Sequence, residues 1–474
     1  MGDERSDTLL RHGFSQSSIE KWLFACCLLI FEGSCCLALL ALYKKYTITW
    51  MVFFQGTAGH VLMVALAGVF ASFIVGGGLY VRTQGSARRE LSLIAGANVI
   101  GVLSAVLVGE MGIRVLSVQV PEGDQLGNIV VLPKDWDRIR QRYHEILGKA
   151  SKDLSYLVYD AHLGWRIAPD RQSSNGLYRS GSNGVRTEEA GDVLRVDPRK
   201  KRVALVGDSF TFGEEVVYRD TWAFQLQGLL GDEYQVVNFG VPGYGIDQMY
   251  LRYLKDVQEW EPDLVVFGFI SNDLLRSTTV YSFLSFPQWD LPFSKPRFFQ
   301  SPSGLQLVNQ PAFSPSQIFS RAHIQDLPEL DRDSGYEEHQ WAESWTYRSY
   351  LVRLAISKFP RWSDRHREKV DDAVLSLNAE IVNAFLAHVA QSGKTAVLVY
   401  FPSSEDYVQA PGQYTLGRHM AKSFQPLSVD LSACLLQVPE AERFTSGNSH
   451  YSPESNRAVA ACLHSPIRNS LVVH

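Results

Sequence analysis

The first quarter of the chain contains three long apolar segments. The segment 22–43 holds one charged residue, Glu32, whereas the segments 47–81 and 91–109 hold none. A helix that crosses a bilayer needs about 20 apolar residues, because the hydrocarbon layer is ~30 Å thick and a helix rises ~1.5 Å per residue. The pattern predicts that residues 1–119 form a membrane domain with three transmembrane helices, at about 22–43, 58–81 and 91–110.

Apolar runs and helical periods alternate from residue 202 onwards and predict an α/β domain. Short runs that are apolar throughout are typical of strands buried on both faces of a parallel sheet, with crossover helices between them. The predicted strands are 202–206, 235–239, 264–269, 395–401 and 427–431, and the predicted helices are 221–230, 247–260, 349–358, 370–392 and 453–463. We expect a three-layer α/β sandwich with a mostly parallel sheet over residues 201–474, after a lead-in segment at 120–200.

The alternation is interrupted at about 277–345, where Phe, Trp, Tyr, Pro and Ser are frequent. Within this stretch the pattern predicts a hairpin over 295–310, around the turn Ser303-Gly304. We expect the stretch to be a large insertion after the third strand. Its aromatic side chains are compatible with two arrangements, a cap that stacks on sugars or ordinary hydrophobic packing of a lid.

The charge of the chain limits the kind of partner that it can bind. The 474 residues carry a net charge of −5, which argues against nucleic acid as a partner, because nucleic-acid binders usually present a basic face.

Short loops rich in Lys and Arg stay on the cytoplasmic side. Six basic residues mark one side of the bilayer and three the other: Arg5, Arg11, Lys21, Arg82, Arg88 and Arg89 against Lys44, Lys45 and Arg114. This predicts a multi-pass protein of a bacterial inner (plasma) membrane, with the C-terminal domain periplasmic or extracellular.

A motif at the end of the first predicted strand carries the strongest chemical signal. Residues 203–213 read Val-Ala-Leu-Val-Gly-Asp-Ser-Phe-Thr-Phe-Gly, so Ser209 follows the strand almost directly. Open α/β sheets bind ligands at the carboxyl ends of their strands. A serine there can expose its Oγ, and its own N–H can stabilise an oxyanion. Ser209 is therefore a candidate nucleophile, although serine is also favoured as a helix N-cap.

The chain resembles the SGNH/GDSL hydrolase superfamily in four separated blocks between residues 201 and 463. These are 207–210 (Gly-Asp-Ser-Phe), 238–243 (Asn-Phe-Gly-Val-Pro-Gly), 270–273 (Ile-Ser-Asn-Asp) and 450–457 (His-Tyr-Ser-Pro-Glu-Ser-Asn-Arg). The resemblance implies an SGNH, flavodoxin-like fold with Ser209 as nucleophile and His450 as general base. It also implies an oxyanion hole made by the N–H groups of Ser209 and Gly243 and by the amide of Asn272. It implies no cofactor and no metal.

The sequence departs from the pattern of this family in two places. Ile270 replaces a glycine of the third block, in which the side chain that acts is Asn272. Gly447 stands where the family has an Asp, three residues before the histidine, and that Asp orients the imidazole and stabilises its charged form. The orienting role would then fall to a backbone carbonyl, to Asn448 or to a distant acid such as Glu442. The alternative is that the activity is weakened or lost.

Two further features bear on the same site. Glu214 and Glu215 follow the nucleophile block and are interpreted as surface charges. Cys434 and Cys462 are the only cysteines in the C-terminal domain. They permit a disulfide in an oxidising compartment, or they are two unrelated buried thiols. A disulfide would close a loop that contains His450.

Together these observations predict a membrane-anchored SGNH-type serine esterase that acts on O-acylated, in particular O-acetylated, carbohydrate of the envelope or the exterior. A first alternative is a polysaccharide O-acetyltransferase, in which a sugar hydroxyl captures the acyl group from Ser209 and a membrane acyl-donor protein is the partner. A second is a non-catalytic carbohydrate-binding or assembly subunit, which the absence of an acid at Gly447 keeps open. A lipase is less favoured, because the insertion is aromatic and polar rather than broadly aliphatic.

Overall fold

Helices and strands alternate along the chain, and the strands form one five-stranded sheet and several small ones. A computed structural model describes residues 16–45, 57–153, 155–342, 344–358, 367–407, 415–447 and 450–472. The strands are β1 (Val118–Val120), β2 (Gly123–Leu126), β3 (Ile129–Val131), β4 (Leu157–Asp160), β5 (Gly164–Ile167), β6 (Arg179–Ser180), β7 (Arg186–Thr187), β8 (Lys201–Val206), β9 (Tyr234–Asn238), β10 (Leu264–Phe269), β11 (Arg297–Ser301), β12 (Gly304–Val308), β13 (Thr395–Tyr400) and β14 (Ser428–Asp430). The α-helices are α1 (Gln16–Lys45), α2 (Thr57–Arg82), α3 (Gly85–Leu116), α4 (Trp136–Asp153), α5 (Ser209–Phe212), α6 (Trp222–Leu230), α7 (Ile246–Arg252), α8 (Ser271–Arg276), α9 (Ser282–Ser285), α10 (Pro315–Phe319), α11 (Tyr350–Lys358), α12 (Arg367–Gln391), α13 (Leu416–Ser423), α14 (Ser432–Leu435), α15 (Glu440–Arg443) and α16 (Pro453–Val472).

The central sheet has the strand order β14-β13-β10-β8-β9, and every neighbouring pair is parallel. Its members are the five predicted strands, with ends that differ by at most one residue. The middle strand β10 is buried along its whole length. This follows from its apolar sequence and from the helices on both faces, α7 and α12 on one side and α6 and α16 on the other. The predicted three-layer α/β sandwich is confirmed.

The register of the sheet brings the carboxyl ends of three strands to one edge. Val206, at the end of β8, pairs with Phe267 of β10. Phe269, at the end of β10, pairs with Tyr400 at the end of β13. The segments that follow these strands therefore lie close together at this edge. The segment after β8 is the nucleophile block, and the segment after β10 is the third block of the sequence.

Some elements differ from the predicted ones. The predicted helix 247–260 consists of the α-helix α7, a π-helical turn over Tyr253–Val257 and a 3₁₀ turn over Gln258–Trp260. The last helix continues past 463 to Val472 and includes Pro466. The lead-in contains the hairpin β4–β5, whose Trp165 is 1% exposed and belongs to the core of the sheet.

The chain divides into two compact units, residues 1–134 with 342–368 and residues 135–341 with 369–474. The first unit contains α1, α2 and α3, which have 30, 26 and 32 residues and include the three predicted spans. Both α2, from His60 onwards, and α3 have the length and composition of a membrane span, and α1 contains the apolar segment 22–43. Asn98 of α3 donates a hydrogen bond of 2.8 Å to Glu32 of α1. Glu32 therefore makes a polar contact between helices.

One helix of the second unit, Asp371–Gln391, also has the length and composition of a membrane span. Its side chains Ile381, Val382 and Phe385 are 0% exposed and lie in the core beside the sheet. A helix whose apolar stripe is covered by its own domain is a core helix of a globular fold. We therefore assign this helix to the sandwich.

Segment 344–358 folds with the first unit, where α3 supplies an acidic cap for α11. The Glu110 carboxylate accepts hydrogen bonds from the backbone N–H groups of Tyr350 (2.8 Å) and Leu351 (3.0 Å). These are N–H groups that a helix leaves unpaired at its start. Arg353 then pairs with Asp124 of β2 at 2.9 Å.

In the second unit, several aromatic side chains of the insertion form a buried cluster with α4. The buried cluster includes Trp136, Tyr143, Tyr281, Phe283, Phe319 and Trp341. The predicted hairpin is present as β11 and β12, with Ser301 paired to Gly304 across the turn. For these aromatic side chains the observed arrangement is hydrophobic packing.

A buried ion pair joins the insertion to the sandwich. The Lys295 ammonium contacts the carboxylate of Asp247 on α7, and the two side chains are 1% and 0% exposed. The Lys295 backbone N–H also donates to the carbonyl of Val280 at 2.8 Å. A buried charge is tolerated when it is paired and hydrogen-bonded, so each partner makes the other acceptable at this position.

Replacing one partner of this pair should destabilise the domain strongly. We expect Lys295→Met to lower the free energy of unfolding by about 3–5 kcal/mol, because Asp247 would keep a buried charge without its counter-ion. The double variant Asp247→Leu/Lys295→Met should recover most of this loss, since apolar replacement of both partners is often neutral. Urea unfolding followed by tryptophan fluorescence measures both effects. Equal losses in the single and double variants would contradict this explanation.

Candidate active site

The nucleophile block forms a tight strand–turn–helix connection. Strand β8 ends at Val206, and α5 begins at Ser209. Asp208 caps the helix, because its Oδ1 accepts the backbone N–H of Phe210 at 2.9 Å. Gly213 ends the helix with φ 80°, in the left-handed region that favours glycine. The four-residue helix thus fixes Ser209 at the carboxyl edge of the sheet.

Ser209 and His450 are joined by a hydrogen bond. The distance between Ser209 Oγ and His450 Nε2 is 2.9 Å. The loop that carries His450 is fixed by an isolated bridge between Phe444 and Tyr451 and by the bond from Thr445 N–H to the His450 carbonyl, at 2.9 Å. The two residues are far apart in the sequence, and the structure brings them together as the resemblance implied.

A disulfide joins Cys434 and Cys462. It links α14 to α16 and closes a loop that includes His450. Of the two arrangements that the sequence allowed, the structure therefore has the pair rather than separate thiols.

Gly243 and Asn272 lie at the same cavity as Ser209 and His450. This cavity has a volume of about 510 Å³. Gly243 has φ 81°, and a Cβ there would lie 3.2 Å from Leu291 and 3.4 Å from Trp165. Asn272 is the second residue of α8, directly after β10. The groups expected to form the oxyanion hole thus line one wall.

The acids near His450 are not the ones that the sequence suggested. Asn448 lies outside the described residues, and Glu442 is exposed, with no contact to His450 in the part of the chain that the structure describes. Glu214 and Glu215, which were interpreted as surface charges, both face the imidazole instead. Glu215 Oε1 is 3.3 Å from Nδ1, and Glu214 Oε2 is 3.5 Å from Nε2.

Glu214 is held in an unfavourable environment for its charge. Burial raises the pKa of its carboxyl group, while His450 opposes this shift and Asp208 adds to it. In the sequence, the absence of an Asp at position 447 could have pointed to these acids, because the histidine then needs another carboxylate nearby.

A buried charge cluster lies under the nucleophile turn. The side chains of Asp208 and Asp273 are 0% exposed, and Arg276 is placed between them, 3.4 Å from Asp208 Oδ2 and 2.6 Å from Asp273 Oδ1. Burial raises the pKa of Asp273 well above its usual range, the neighbouring Asp208 raises it further, and Arg276 opposes both. The cluster ties the turn after β8 to α8 after β10.

The insertion contributes Trp289 and Leu291 to the cavity wall. Trp289 stacks on Phe286, with ring centroids 4.3 Å apart and planes at 9°, and the Arg276 guanidinium lies 4.5 Å from its ring centre. Sequence reasoning did not single out these residues, because nothing in the local pattern separates Trp289 from the aromatics that are packed against α4. Among the described residues, no group of three or more His, Cys, Asp or Glu could hold a metal ion.

Comparison with known proteins gives a family match for part of the chain. Residues 205–286, which run from β8 through the nucleophile turn to the start of the insertion, match the family model described as GDSL-like Lipase/Acylhydrolase. This segment is similar to the GDSL-like family. The resemblance noted in the sequence is thereby confirmed for a segment that contains Ser209, Gly243 and Asn272.

The chain also has a curated relative. An acetylxylan esterase from Xylanibacter ruminicola is 36% identical over an alignment of 98 residues, which covers 18% of this chain and 20% of that protein. The chain thus spans about a fifth of the length of this relative. Two solved structures also match: the lipase/acylhydrolase from Enterococcus faecalis (14% identity, 57% of this chain, 96% of that chain, TM-score 0.26) and a catalytic mutant of an acetylxylan esterase from Geobacillus stearothermophilus (15%, 56%, 92%, TM-score 0.30). TM-scores this low do not by themselves establish a shared fold.

Removing Arg276, the cation of the buried cluster, should make the stability of the α/β domain depend on pH. In Arg276→Met the two carboxylates would repel each other, so the folded chain would hold a proton that the unfolded chain releases. Stability is then lost as the pH rises through the raised folded-state pKa. We expect a loss of about 3–5 kcal/mol at pH 8 and a smaller one at pH 5.

Urea unfolding of wild type and Arg276→Met at both pH values measures this difference. A loss of the same size at pH 5 and pH 8 would show that the packing of the arginine, and not its charge, stabilises the fold.

Proposed function

We propose that this protein is a serine esterase that removes acyl groups from carbohydrate. The observation that carries the proposal is the 2.9 Å contact between Ser209 Oγ and His450 Nε2, in a cavity that Gly243 and Asn272 also line. A nucleophile, a base within hydrogen-bond reach and adjacent oxyanion donors are the parts that acyl transfer requires.

In this mechanism Ser209 attacks the carbonyl carbon of the ester while His450 Nε2 takes the hydroxyl proton. The negative charge on the carbonyl oxygen is stabilised by the N–H groups of Ser209 and Gly243 and by the Asn272 amide. His450 then gives the proton to the leaving sugar oxygen. Water attacks the acyl-serine by the same route, and Ser209 is regenerated.

The charges around the cavity favour a neutral ester. Its described lining includes three carboxylates, Glu214, Glu215 and Glu405, and one cation, Arg276. Arg276 is already paired with Asp208 and Asp273. An anionic substrate would meet net repulsion, whereas an acetyl ester of a sugar carries no charge. The similarity to an acetylxylan esterase over 98 residues supports an acetylated carbohydrate as the substrate.

We further propose that α1, α2 and α3 anchor the enzyme in the inner membrane, with the esterase domain on the outer side. The distribution of basic residues around the predicted spans supports this orientation. The Cys434–Cys462 disulfide supports it independently, because such bonds persist in oxidising compartments such as the periplasm.

A fluorophosphonate probe tests the nucleophile without knowledge of the natural ester. We expect the purified full-length chain to be labelled and Ser209→Ala to remain unlabelled, because the probe reacts with a serine that a neighbouring base activates. Ser316→Ala, which changes an exposed serine of the insertion, is the matched control and should label like wild type. Labelling that persists in Ser209→Ala would reject this assignment.

The oxyanion role of Asn272 predicts a loss in turnover rather than in binding. We expect Asn272→Ala to lower kcat for an aryl acetate about 100- to 1000-fold with little change in KM, because the amide acts on charge that develops only in the transition state. Steady-state kinetics measure both constants. If KM rose while kcat stayed constant, Asn272 would instead be a substrate-binding group.

A further inference from the structure

The imidazole of His450 lacks the partner that its family normally supplies. Gly447 has no side chain, and Nδ1 of His450 is buried and makes no hydrogen bond in the described part of the chain. A histidine base needs an acceptor at this nitrogen, because that bond fixes the tautomer and leaves Nε2 free to accept the serine proton. The site as built therefore requires an acid from elsewhere in the fold.

Glu215 is held in position to be that acid. Its Oε1 is 3.3 Å from His450 Nδ1, and its Oε2 accepts a hydrogen bond from the hydroxyl of Thr445, on the loop that carries the histidine. Its backbone N–H donates to the hydroxyl of Tyr178 at 2.9 Å. The first bond fixes the carboxylate to the histidine loop, and the second fixes the backbone of Glu215.

The backbone at Glu215 supports a specific role. Its φ is 69°, in the left-handed region that L-residues with a Cβ rarely adopt. Such conformations persist where the surrounding structure enforces them, and they concentrate at functional sites. This conformation follows the left-handed Gly213 and turns the glutamate back towards the histidine.

We propose that Glu215 is the positioning residue for His450 and takes the place of the acid that is missing at Gly447. This inference rests on the proposed esterase function and extends it. In the reaction, Nδ1–H donates to Glu215 Oε1 throughout, while Nε2 accepts the Ser209 proton and later returns it. Glu215 stays ionised and stabilises the imidazolium, and no proton passes to it.

Glu214 is less suited to this role, although it lies equally close. Its carboxylate faces Nε2 at 3.5 Å, the nitrogen that must exchange the proton with Ser209. An acceptor on that side would favour the tautomer that cannot act as a base. Burial also raises the pKa of its carboxyl group.

Several charged groups surround His450. They are Asp208, Glu214 and Glu215 from the nucleophile segment, Asp273 and Arg276 from α8, and Glu405 from the segment after β13. Of these, the structure places only Glu215 against Nδ1. Its removal should therefore leave Nδ1–H without this carboxylate, so that the tautomer in which Nε2 acts as the base is no longer favoured.

The test compares Glu215→Gln with Glu442→Gln in the full-length chain. We expect Glu215→Gln to lower kcat for an aryl acetate between about 100- and 10,000-fold, with KM changed by less than about twofold. Glu442→Gln changes an exposed acid without a described contact to His450 and should behave like wild type. Unfolding curves for both variants establish that they are folded.

A second readout does not depend on activity. We expect the Nδ1–H proton of the His450 ring, identified by its absence in His450→Gln, to give an NMR resonance in wild type that is lost or displaced in Glu215→Gln, because its carboxylate acceptor is removed. If wild type has no esterase activity but this change is seen, the contact stands and the proposed reaction fails. Wild-type kcat and an unchanged Nδ1–H resonance in Glu215→Gln would overturn the proposal, and so would the same losses in Glu442→Gln but not in Glu215→Gln.

Discussion

The close packing of the nucleophile turn onto strand β10 is the constraint on which the site depends. A Cβ at Gly207 would lie 1.9 Å from Thr211 Oγ1 and 2.7 Å from the Gly268 carbonyl. A Cβ at Gly268 would lie 2.4 Å from the Phe401 ring. Only glycine at both positions allows α5 to begin directly at the edge of the sheet. The same contact aligns the ends of β8, β10 and β13, so that residues from separate blocks meet at one cavity.

Charge in this site is arranged in two layers. Below the turn, Arg276 neutralises two buried aspartates that hold α5 and α8 together. Above it, Glu214 and Glu215 flank an imidazole that is itself only partly exposed. Since buried carboxylates repel each other and lose hydration, the positions of Asp208, Asp273 and Glu215 are stable because each has a cation, a backbone N–H or a hydroxyl beside it.

The proposed position of the acid changes how the site is assembled. In the family pattern, acid and histidine lie on the same loop and approach the serine together. Here Ser209 and Glu215 belong to one segment, fixed by α5 and the Gly213 turn, and the loop of His450 docks between them. Thr445 and the Cys434–Cys462 disulfide hold that loop, so the geometry of the histidine depends on contacts that the nucleophile segment offers.

The sequence by itself determined the features that arise from local pattern. The apolar runs defined the five strands to within one residue, since burial on both faces leaves few polar positions, and the Gly-Asp-Ser motif placed Ser209 because a strand followed by this turn has few conformations. The sequence also identified Gly243, Asn272 and His450 as candidates, through its resemblance to a family. Only the tertiary structure placed Glu215 beside His450, Trp289 in the cavity wall and Lys295 beside Asp247. Each depends on contacts between segments far apart in the chain, and in the sequence these residues are indistinguishable from surface charges and core aromatics.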